Sequence, residues 1–236
     1  KAVGLWILGE ASKIQPGQQH LKRCIIEMGG KNAVIVDNDA DLDEAVDGVL
    51  YSAFGFAGQK CSAASRCIVL EEVYDRFKER LLEAAKSIHM GPANDPEVYL
   101  GPVVDEDSQK RLLAAIATAS EKHRIVYKSE SNESGYFVPV TIVENVKGHD
   151  DIAQKEFFGP LLVLIKAKDL DEAIQINNST EYALTGGLFS RSPENISRAR
   201  EEMECGNLYI NRGITGAMVD RHPFGGYKMS GIGSKT

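Results

Sequence analysis

The chain has 236 residues, 43% of them hydrophobic, and its 27 basic and 34 acidic side chains give a formal net charge of −7. This length and apolar content predict a globular protein with a packed core. The basic residues are scattered along helical segments and form no stripe, a pattern that argues against nucleic acid as a partner.

The sequence also lacks the signals of a membrane or secreted protein. No uncharged apolar run approaches the roughly 18 residues of a membrane span, and the N-terminus has no signal-peptide pattern. The four cysteines have no CxxC spacing, which suits a reducing compartment better than a disulfide framework. We therefore expect a cytoplasmic protein.

The predicted elements alternate between helix and strand along the chain. In order they are a helix over 1–13, strands over 22–30 and 32–37, a helix over 41–56, a strand over 65–72, helices over 74–88 and 105–122, strands over 124–129, 137–146 and 160–169, a helix over 170–179, a strand over 183–192, a helix over 193–204 and a strand over 206–213. Asp41 is expected to cap the second helix. Strands separated by such helices favour parallel pairing, so the predicted fold class is α/β, an open, mostly parallel sheet with helices on both faces.

The two ends of the chain suggest a piece of a longer protein. The first helix places Leu5, Ile7 and Leu8 near Trp6 and predicts an apolar stripe. The chain begins without a methionine inside this helix and stops at "GIGSKT" with no closing element. We expect further chain on both sides.

Cys61 lies in the small-residue segment "GFAGQKCSAAS". One interpretation is a small buried hydrophobe. The other is a nucleophile, because a thiol presented by a glycine-rich turn is accessible to a substrate. A thiol with a pKa near ~8.5 is mostly protonated at neutral pH, so a nucleophilic Cys61 needs a base or a positive field nearby.

Two glutamates are candidates for chemistry. Glu27 ends an apolar strand before Gly29 and Gly30, where it either caps the turn or acts as a general base whose pKa is raised by desolvation. Glu156 in "QKEFFGPLLVL" either belongs to a loop before a strand or, with its aromatic neighbours, holds a ribose and its base.

Glycine-rich segments near the C-terminus are candidates for anion binding. The turn residues of "GITGAMV" expose successive backbone N–H groups, which form either an anion-binding concavity or a surface hairpin turn. A phosphate-loop interpretation of "GGYKMSGIGSKT" fails, because Ile232 follows Gly231 where that motif requires lysine.

Each motif alone is weak evidence, but their order is distinctive. "EMGGKN", "GQKCSA", "EFFGP" and "NRGITG…PFGG" occur in this order, and together they resemble the NAD(P)-dependent aldehyde dehydrogenase superfamily across nearly the whole chain. "GFAGQKCSA" and "NRGITGAMVDRHPFGGYKMSGIGSK" most resemble its pyrroline-5-carboxylate (glutamate semialdehyde) dehydrogenase family.

This resemblance implies a role for each motif. Cys61 matches the nucleophile, which forms a thiohemiacetal with the aldehyde. The carbon of this thiohemiacetal then transfers hydride to the nicotinamide of NAD, with NADP as the alternative cofactor. Glu27 matches the base that activates water to hydrolyse the thioester. Glu156 matches the residue that holds the nicotinamide ribose, with Phe158 beside the ring, and no metal is implied.

The resemblance also implies the substrate site. Ser62 matches a hydroxyl donor to the substrate carboxylate, and Gly216 and Ala217 match the loop that anchors this carboxylate. Phe224 matches a wall of the pocket. The implied reaction is the oxidation of glutamate 5-semialdehyde to glutamate in proline catabolism.

The family pattern further implies how the chain is divided. Residues 1–21 resemble the end of an upstream dinucleotide-binding domain, and residues 22–236 resemble a catalytic domain that is inactive alone. The parent protein is expected to be a homo-oligomer or part of a bifunctional proline-oxidising enzyme.

Three alternatives remain open. They are a general or other semialdehyde dehydrogenase, a coenzyme A-acylating relative, and a non-catalytic domain on the same fold. Glu27 favours hydrolysis over acyl transfer to coenzyme A. The presence of Glu27, Cys61 and Glu156 together argues against a non-catalytic domain, because packing alone requires none of them.

Overall fold

Strands form the centre of the molecule in the computed structural model, which describes residues 1–131 and 134–232. Along the chain they are β1 (Ile26–Glu27), β2 (Asn32–Val36), β3 (Ala64–Leu70), β4 (Arg124–Lys128), β5 (Thr141–Glu144), β6 (Leu161–Ala167), β7 (Tyr182–Ala183), β8 (Thr185–Phe189), β9 (Asn207–Ile210), β10 (Tyr227–Lys228) and β11 (Gly231–Ile232). Seven of them form one sheet in the order β4-β5-β6-β3-β2-β8-β9. Its neighbouring strands are parallel except β4 and β5, which run antiparallel.

Several helices pack on this sheet, whereas the first contacts β1 outside it. The helices are α1 (Ala2–Ala11), α2 (Leu42–Phe54), α3 (Glu71–Ala85), α4 (Glu106–Lys122), α5 (Asp151–Gln154), α6 (Leu170–Asn178) and α7 (Pro193–Glu202). Four helices begin at an N-cap residue whose side chain accepts hydrogen bonds from backbone amides of the first turn. These residues are Asp41 for α2, Asp105 for α4, Asp169 for α6 and Ser192 for α7. Helices α2 and α3 pack against each other, as do α6 and α7.

The core lies on both faces of the central strands. Strand β2 is fully buried, and β3 and β6 are almost entirely so. Burial on both faces explains why these strands are continuous apolar runs rather than alternating patterns.

Two short antiparallel ribbons lie outside the main sheet. Strand β1 pairs with β11, and β7 pairs with β10. Ser230 connects the two ribbons, because its carbonyl oxygen accepts from Met28 N over 2.9 Å and its hydroxyl accepts from Ala183 N over 2.9 Å. The segment before β2 is therefore held by residues near the far end of the chain.

The structure confirms the α/β class, the mostly parallel sheet and the cap at Asp41. The antiparallel pair of β4 and β5 agrees with a sheet that is mostly but not wholly parallel. Among the described residues between these two strands there is no helix, and the chain returns as an antiparallel neighbour.

Two predictions are corrected. The strand predicted over 22–30 is limited to Ile26–Glu27 and pairs with β11 outside the main sheet. The apolar side chains of α1 do not form a packed stripe, since none of its residues is buried and Trp6 is 65% exposed. Within residues 1–131 and 134–232, no helix is both long and apolar enough to cross a bilayer.

Candidate active site

A strained turn leads from α2 to Cys61. Phe56 and Ala57 both adopt left-handed backbone conformations, with φ of 59° and 55°, and Gly58 follows with φ of 66°. A Cβ at Gly58 would collide with the carbonyl group of Gly159. The turn therefore packs closely against the segment that follows Phe158.

The candidate residues gather at the amino ends of neighbouring parallel strands. Glu27 precedes β2, Cys61 precedes β3, and Glu156 precedes β6. These strands are adjacent in the order β6-β3-β2. Three motifs that are far apart in the sequence therefore meet at one edge of the sheet.

The Cys61 thiol is half-buried between acidic groups. Burial raises its pKa most, and the carboxylates of Glu27 and Glu156 raise it further, while the backbone amides of Ser62 and Cys61 oppose the rise. Of the two aids expected for a nucleophilic Cys61, a base or a positive field, the structure places carboxylates near the thiol. The thiol is therefore protonated at neutral pH and needs a base when it reacts.

Glu27 is held by the ribbon of β1 and β11, where it pairs with Gly231. Both of its carboxylate oxygens are shielded from solvent. The next residue, Met28, donates its amide to Ser230 O, so the backbone on the C-terminal side of Glu27 is also fixed. The structure places a buried carboxylate near the Cys61 thiol, and the role of Glu27 as a base stays a prediction.

Glu156 lies against the glycine pair that follows Glu27. Gly30 N donates to Glu156 Oε1 over 3.0 Å, and a Cβ on Gly29 would collide with the same carboxylate. Burial raises the pKa of Glu156, whereas the Gly30 hydrogen bond and the nearby Lys31 ammonium oppose the rise.

Phe158 adopts a left-handed conformation with φ of 58° and remains 40% exposed. With Phe56 it lines an open cavity of about 600 Å³ whose other walls include Tyr99 and Val104. An aromatic face is therefore available to a ligand in this cavity, and Phe158 also lines a second, much smaller cavity together with Glu156.

The predicted substrate residues occupy two further segments. Ser62 is buried and follows Cys61 directly, whereas Gly216 is exposed, with φ of 89°, and Ala217 is half-buried. The turn that contains Gly216 is anchored on α2, since Ile214 N donates to Ser52 Oγ over 2.9 Å.

Phe224 is half-buried and held on both sides by one β9 side chain. Asn207 Nδ2 donates to Pro223 O over 2.7 Å, and Asn207 Oδ1 accepts from Gly225 N over 3.4 Å. The backbone around Phe224 is thus fixed, and the substrate roles of these residues stay predictions.

The sequence interpretation missed Lys31, a buried cation in the site. Its side chain is 3% exposed, and Nζ lies 5.3 Å from the ring centroid of Phe157. Burial first and then the Arg66 charge lower the pKa of Lys31 to about 7, while Glu156 acts in the opposite direction. The lysine of "EMGGKN" could have been noted, but nothing local in the sequence shows that it is buried.

Arg66 was also missed. It is 1% exposed, and it donates to Lys31 O over 2.8 Å, to Ile176 O over 2.7 Å and to Asn177 O over 3.0 Å. These bonds tie the backbone before β2 to the C-terminal end of α6. Burial lowers the pKa of Arg66 to about 9.

Comparison of the chain with known protein families shows the class of protein to which this fold and site belong. The profile described as the aldehyde dehydrogenase family matches residues 9–236. The chain therefore belongs to the aldehyde dehydrogenase family, and the resemblance inferred from its motifs is confirmed.

Individual relatives within this family are similar to the chain over its whole length. A 1-pyrroline-5-carboxylate dehydrogenase of Bacillus subtilis (strain 168) is 45% identical over 237 residues, which cover 100% of this chain and 46% of that protein. The chain thus spans less than half the length of this curated relative.

Two solved structures are similar throughout the chain. Proline utilization A from Bdellovibrio bacteriovorus is 66% identical with a TM-score of 0.97, covering 100% of this chain and 24% of that one. The 1-pyrroline-5-carboxylate dehydrogenase from Thermus with bound NAD is 45% identical with a TM-score of 0.94, covering 98% of this chain and 45% of that one.

Proposed function

We propose that this chain is the catalytic portion of an NAD-dependent dehydrogenase that oxidises glutamate 5-semialdehyde to glutamate in proline catabolism. The observation that carries the proposal is the meeting of Cys61 with the carboxylates of Glu27 and Glu156 at the amino ends of β3, β2 and β6. The names of the Bacillus and Thermus relatives support the choice of substrate.

In this proposal Cys61 is the nucleophile. Its sulfur bonds to the aldehyde carbon, and the thiol proton ends on the former carbonyl oxygen, which gives a thiohemiacetal. Because burial and two carboxylates raise the pKa of this thiol, a neighbouring carboxylate accepts the proton as the bond forms. The covalent link then holds the reacting carbon in one place.

The residues beside Cys61 fit the nicotinamide end of NAD. Glu156, held by the Gly30 amide, offers a carboxylate to the ribose hydroxyls, and Phe158 offers an exposed aromatic face. NAD held by these residues would supply the hydride acceptor that converts the thiohemiacetal into a thioester, and the hydroxyl proton would pass to a neighbouring base or to water. NADP remains an alternative cofactor, since these residues contact only the nicotinamide end.

Glu27 completes the cycle by hydrolysis. Its carboxylate takes a proton from water, the water oxygen attacks the thioester carbon, and the carbon–sulfur bond breaks to release the acid. The small side chains after Cys61 leave its backbone amide free to stabilise the negative oxygen of the intermediate.

Binding of the substrate carboxylate is assigned to the predicted substrate residues. Ser62 and the amides of the Gly216–Ala217 turn act as donors, and Phe224 forms a wall of the pocket. The positive φ of Gly216 supports this assignment, because such a turn can aim successive N–H groups at one anion.

The proposal includes a division of the chain. Residues 1–21 form the end of an upstream dinucleotide-binding domain, and residues 22–236 form the catalytic domain. The exposed apolar side chains of α1, such as Trp6 and Val3, support a partner surface outside this chain. The parent is a homo-oligomer or a bifunctional proline-oxidising enzyme, and the 66% identity to proline utilization A favours the second.

The test compares two aldehydes in the parent enzyme. Charge-assisted hydrogen bonds to a carboxylate are worth roughly 1.5–3 kcal/mol each, so glutamate semialdehyde should exceed pentanal at least tenfold in kcat/KM. Ser62→Ala should reduce this preference mainly through KM, because the carboxylate is bound equally in ground and transition states. Equal kcat/KM for the two aldehydes in the parent would leave only a general aldehyde dehydrogenase.

A further inference from the structure

The three carbonyl groups that begin at the nucleophile are all held by buried side chains. Asn32 Nδ2 donates to Cys61 O over 2.7 Å and to Ala63 O over 2.8 Å. Thr185 Oγ1 donates to Ser62 O over 3.1 Å. The backbone of residues 61–63 is therefore fixed from the interior of the protein.

The two donors are themselves locked together. Thr185 N donates to Asn32 Oδ1 over 2.9 Å, and each of the two side chains is 3% exposed. Asn32 begins β2 and Thr185 begins β8, its neighbour in the sheet. Both side-chain hydrogens of the Asn32 amide and its oxygen have partners, so this side chain has one orientation.

The orientation of one peptide group links these bonds to the thiol. In a trans peptide the C=O and the next N–H point in opposite directions, so a Cys61 carbonyl held inward turns Ser62 N–H outward. The Ser62 amide, together with the Cys61 amide, favours the Cys61 thiolate and opposes the rise in the pKa of this thiol. The hold of Asn32 on Cys61 O thus aims a donor at the sulfur.

Gly30 shows how closely this arrangement is packed. A Cβ at this position would lie 2.6 Å from Cys61 O and 2.7 Å from Asn32 Oδ1. The glycine therefore leaves room for the amide of Asn32 to reach the nucleophile's carbonyl.

We propose that Asn32 and Thr185 are positioning residues that fix the turn of Cys61, Ser62 and Ala63 so that the Ser62 amide faces the reacting sulfur. Neither side chain touches the sulfur or the substrate; both act through the backbone of the turn. The inference rests on the proposed function in one respect, that Cys61 is the nucleophile.

The test measures how the rate of Cys61 alkylation by iodoacetamide depends on pH in the full-length parent, with peptide mapping to confirm the labelled residue. Thr185→Val removes the hydroxyl at nearly constant volume, Thr185→Ser retains it, and Asn32→Ala removes both amide donors. A looser turn stabilises the thiolate less, so the midpoint of the profile should move to higher pH.

The three variants should differ in how far the alkylation rate falls. At pH 7 the alkylation rate should fall about tenfold in Asn32→Ala, in line with the loss of one hydrogen bond to a charged group, and about threefold in Thr185→Val. Thr185→Ser should stay close to the wild type. Should Asn32→Ala fail to fold, the valine and serine variants of Thr185 decide the question alone.

A matched control separates positioning from general destabilisation. Thr141 is also fully buried at the first position of a strand, and its hydroxyl donates to Pro139 O over 3.0 Å. Thr141→Val should lower the melting temperature like Thr185→Val but leave the alkylation profile unchanged. An unchanged profile in folded Thr185→Val, or an equal shift in Thr141→Val, would overturn the inference.

The outcome is independent of the substrate assignment, because alkylation uses neither aldehyde nor NAD. If glutamate semialdehyde proves not to be the substrate, the shift in the profile is still expected. If another cysteine of the wild type is labelled instead of Cys61, the nucleophile assignment fails and the inference fails with it.

Discussion

Gly30 N donates to Glu156 Oε1 over 3.0 Å and so joins two segments that are 126 residues apart in the chain. The carboxylate also lies where a Cβ of Gly29 would be. The glycine pair after Glu27 is therefore shaped to receive Glu156, and the general base and the ribose-binding carboxylate of the proposed mechanism share one backbone turn.

Gly29→Ala tests this relationship. The new Cβ should displace the Glu156 carboxylate and weaken binding at the nicotinamide end, so KM for NAD should rise about tenfold or more in the parent, as expected when a charge-assisted hydrogen bond is lost. Steady-state kinetics against NAD measure this. Alkylation of Cys61 in the absence of NAD serves as the internal control, and a normal KM for NAD would show that Glu156 does not bind the cofactor.

Glu27→Gln separates the two halves of the proposed reaction. The substitution retains volume but removes the base, so hydride transfer in a single turnover should survive while thioester hydrolysis slows by roughly 10²–10⁴. Rapid-mixing absorbance of the reduced cofactor should therefore show a burst followed by slow turnover. Cys61→Ala should abolish the burst as well, and steady turnover unaffected by Glu27→Gln would remove its role as base.

The four cysteines should differ in reactivity. Cys61 is expected to be labelled first by iodoacetamide, because Cys67 is fully buried and burial raises the pKa of Cys205 to about 12. Cys24 is the real competitor, since it is only partly buried and lies outside β1, although the sequence predicted a strand that included it. Peptide mapping after brief labelling decides between them, and earlier labelling of Cys24 would count against a nucleophilic Cys61.

The same labelling has a definite pH dependence. Since burial and two carboxylates raise the pKa of the Cys61 thiol, its alkylation should still accelerate well above neutral pH. Removing one negative charge with Glu27→Gln should shift this acceleration to lower pH.

Lys31 should make stability depend on pH. Its pKa is about 7 in the folded protein and about 10.5 when exposed, so between these values the unfolded chain binds more protons and the free energy of unfolding rises with pH. From pH 7 to pH 9 the gain should be about 2 kcal/mol at most. Lys31→Met should remove this rise, as judged by denaturant unfolding at both pH values, and an identical slope in the variant would contradict a buried, titrating Lys31.

The class of fold could be predicted from the sequence because the patterns that indicate it extend over only a few neighbouring residues. The apolar runs of β2 and β3 and the cap at Asp41 act within a few residues. The order of the motifs also singled out Cys61, Glu27 and Glu156 as candidates, and the structure brings these three residues together, while their roles stay predictions.

The residues that the sequence interpretation missed owe their roles to contacts between distant parts of the chain. Asn32 is an unremarkable polar residue after "GGK" until its partners, Cys61 O and Thr185 N, are known from the folded chain. Likewise, nothing near Arg66 in the sequence indicates that three backbone carbonyls from two other segments surround it. Such residues are recognised only when the strand order is known.

The pairing of β1 with β11 has a consequence for synthesis of the protein. The turn around Cys61 is held by β2 and β8, both of which leave the ribosome before Gly231 does, whereas Glu27 has no strand partner until Gly231 and Ile232 have been made. On the proposed mechanism, a nascent or prematurely terminated chain that stops before β11 would have an ordered thiol but no ordered base. Such a chain would be able to capture an aldehyde or an activated acyl group and unable to release it, so turnover on this mechanism depends on completion of the C-terminal pairing.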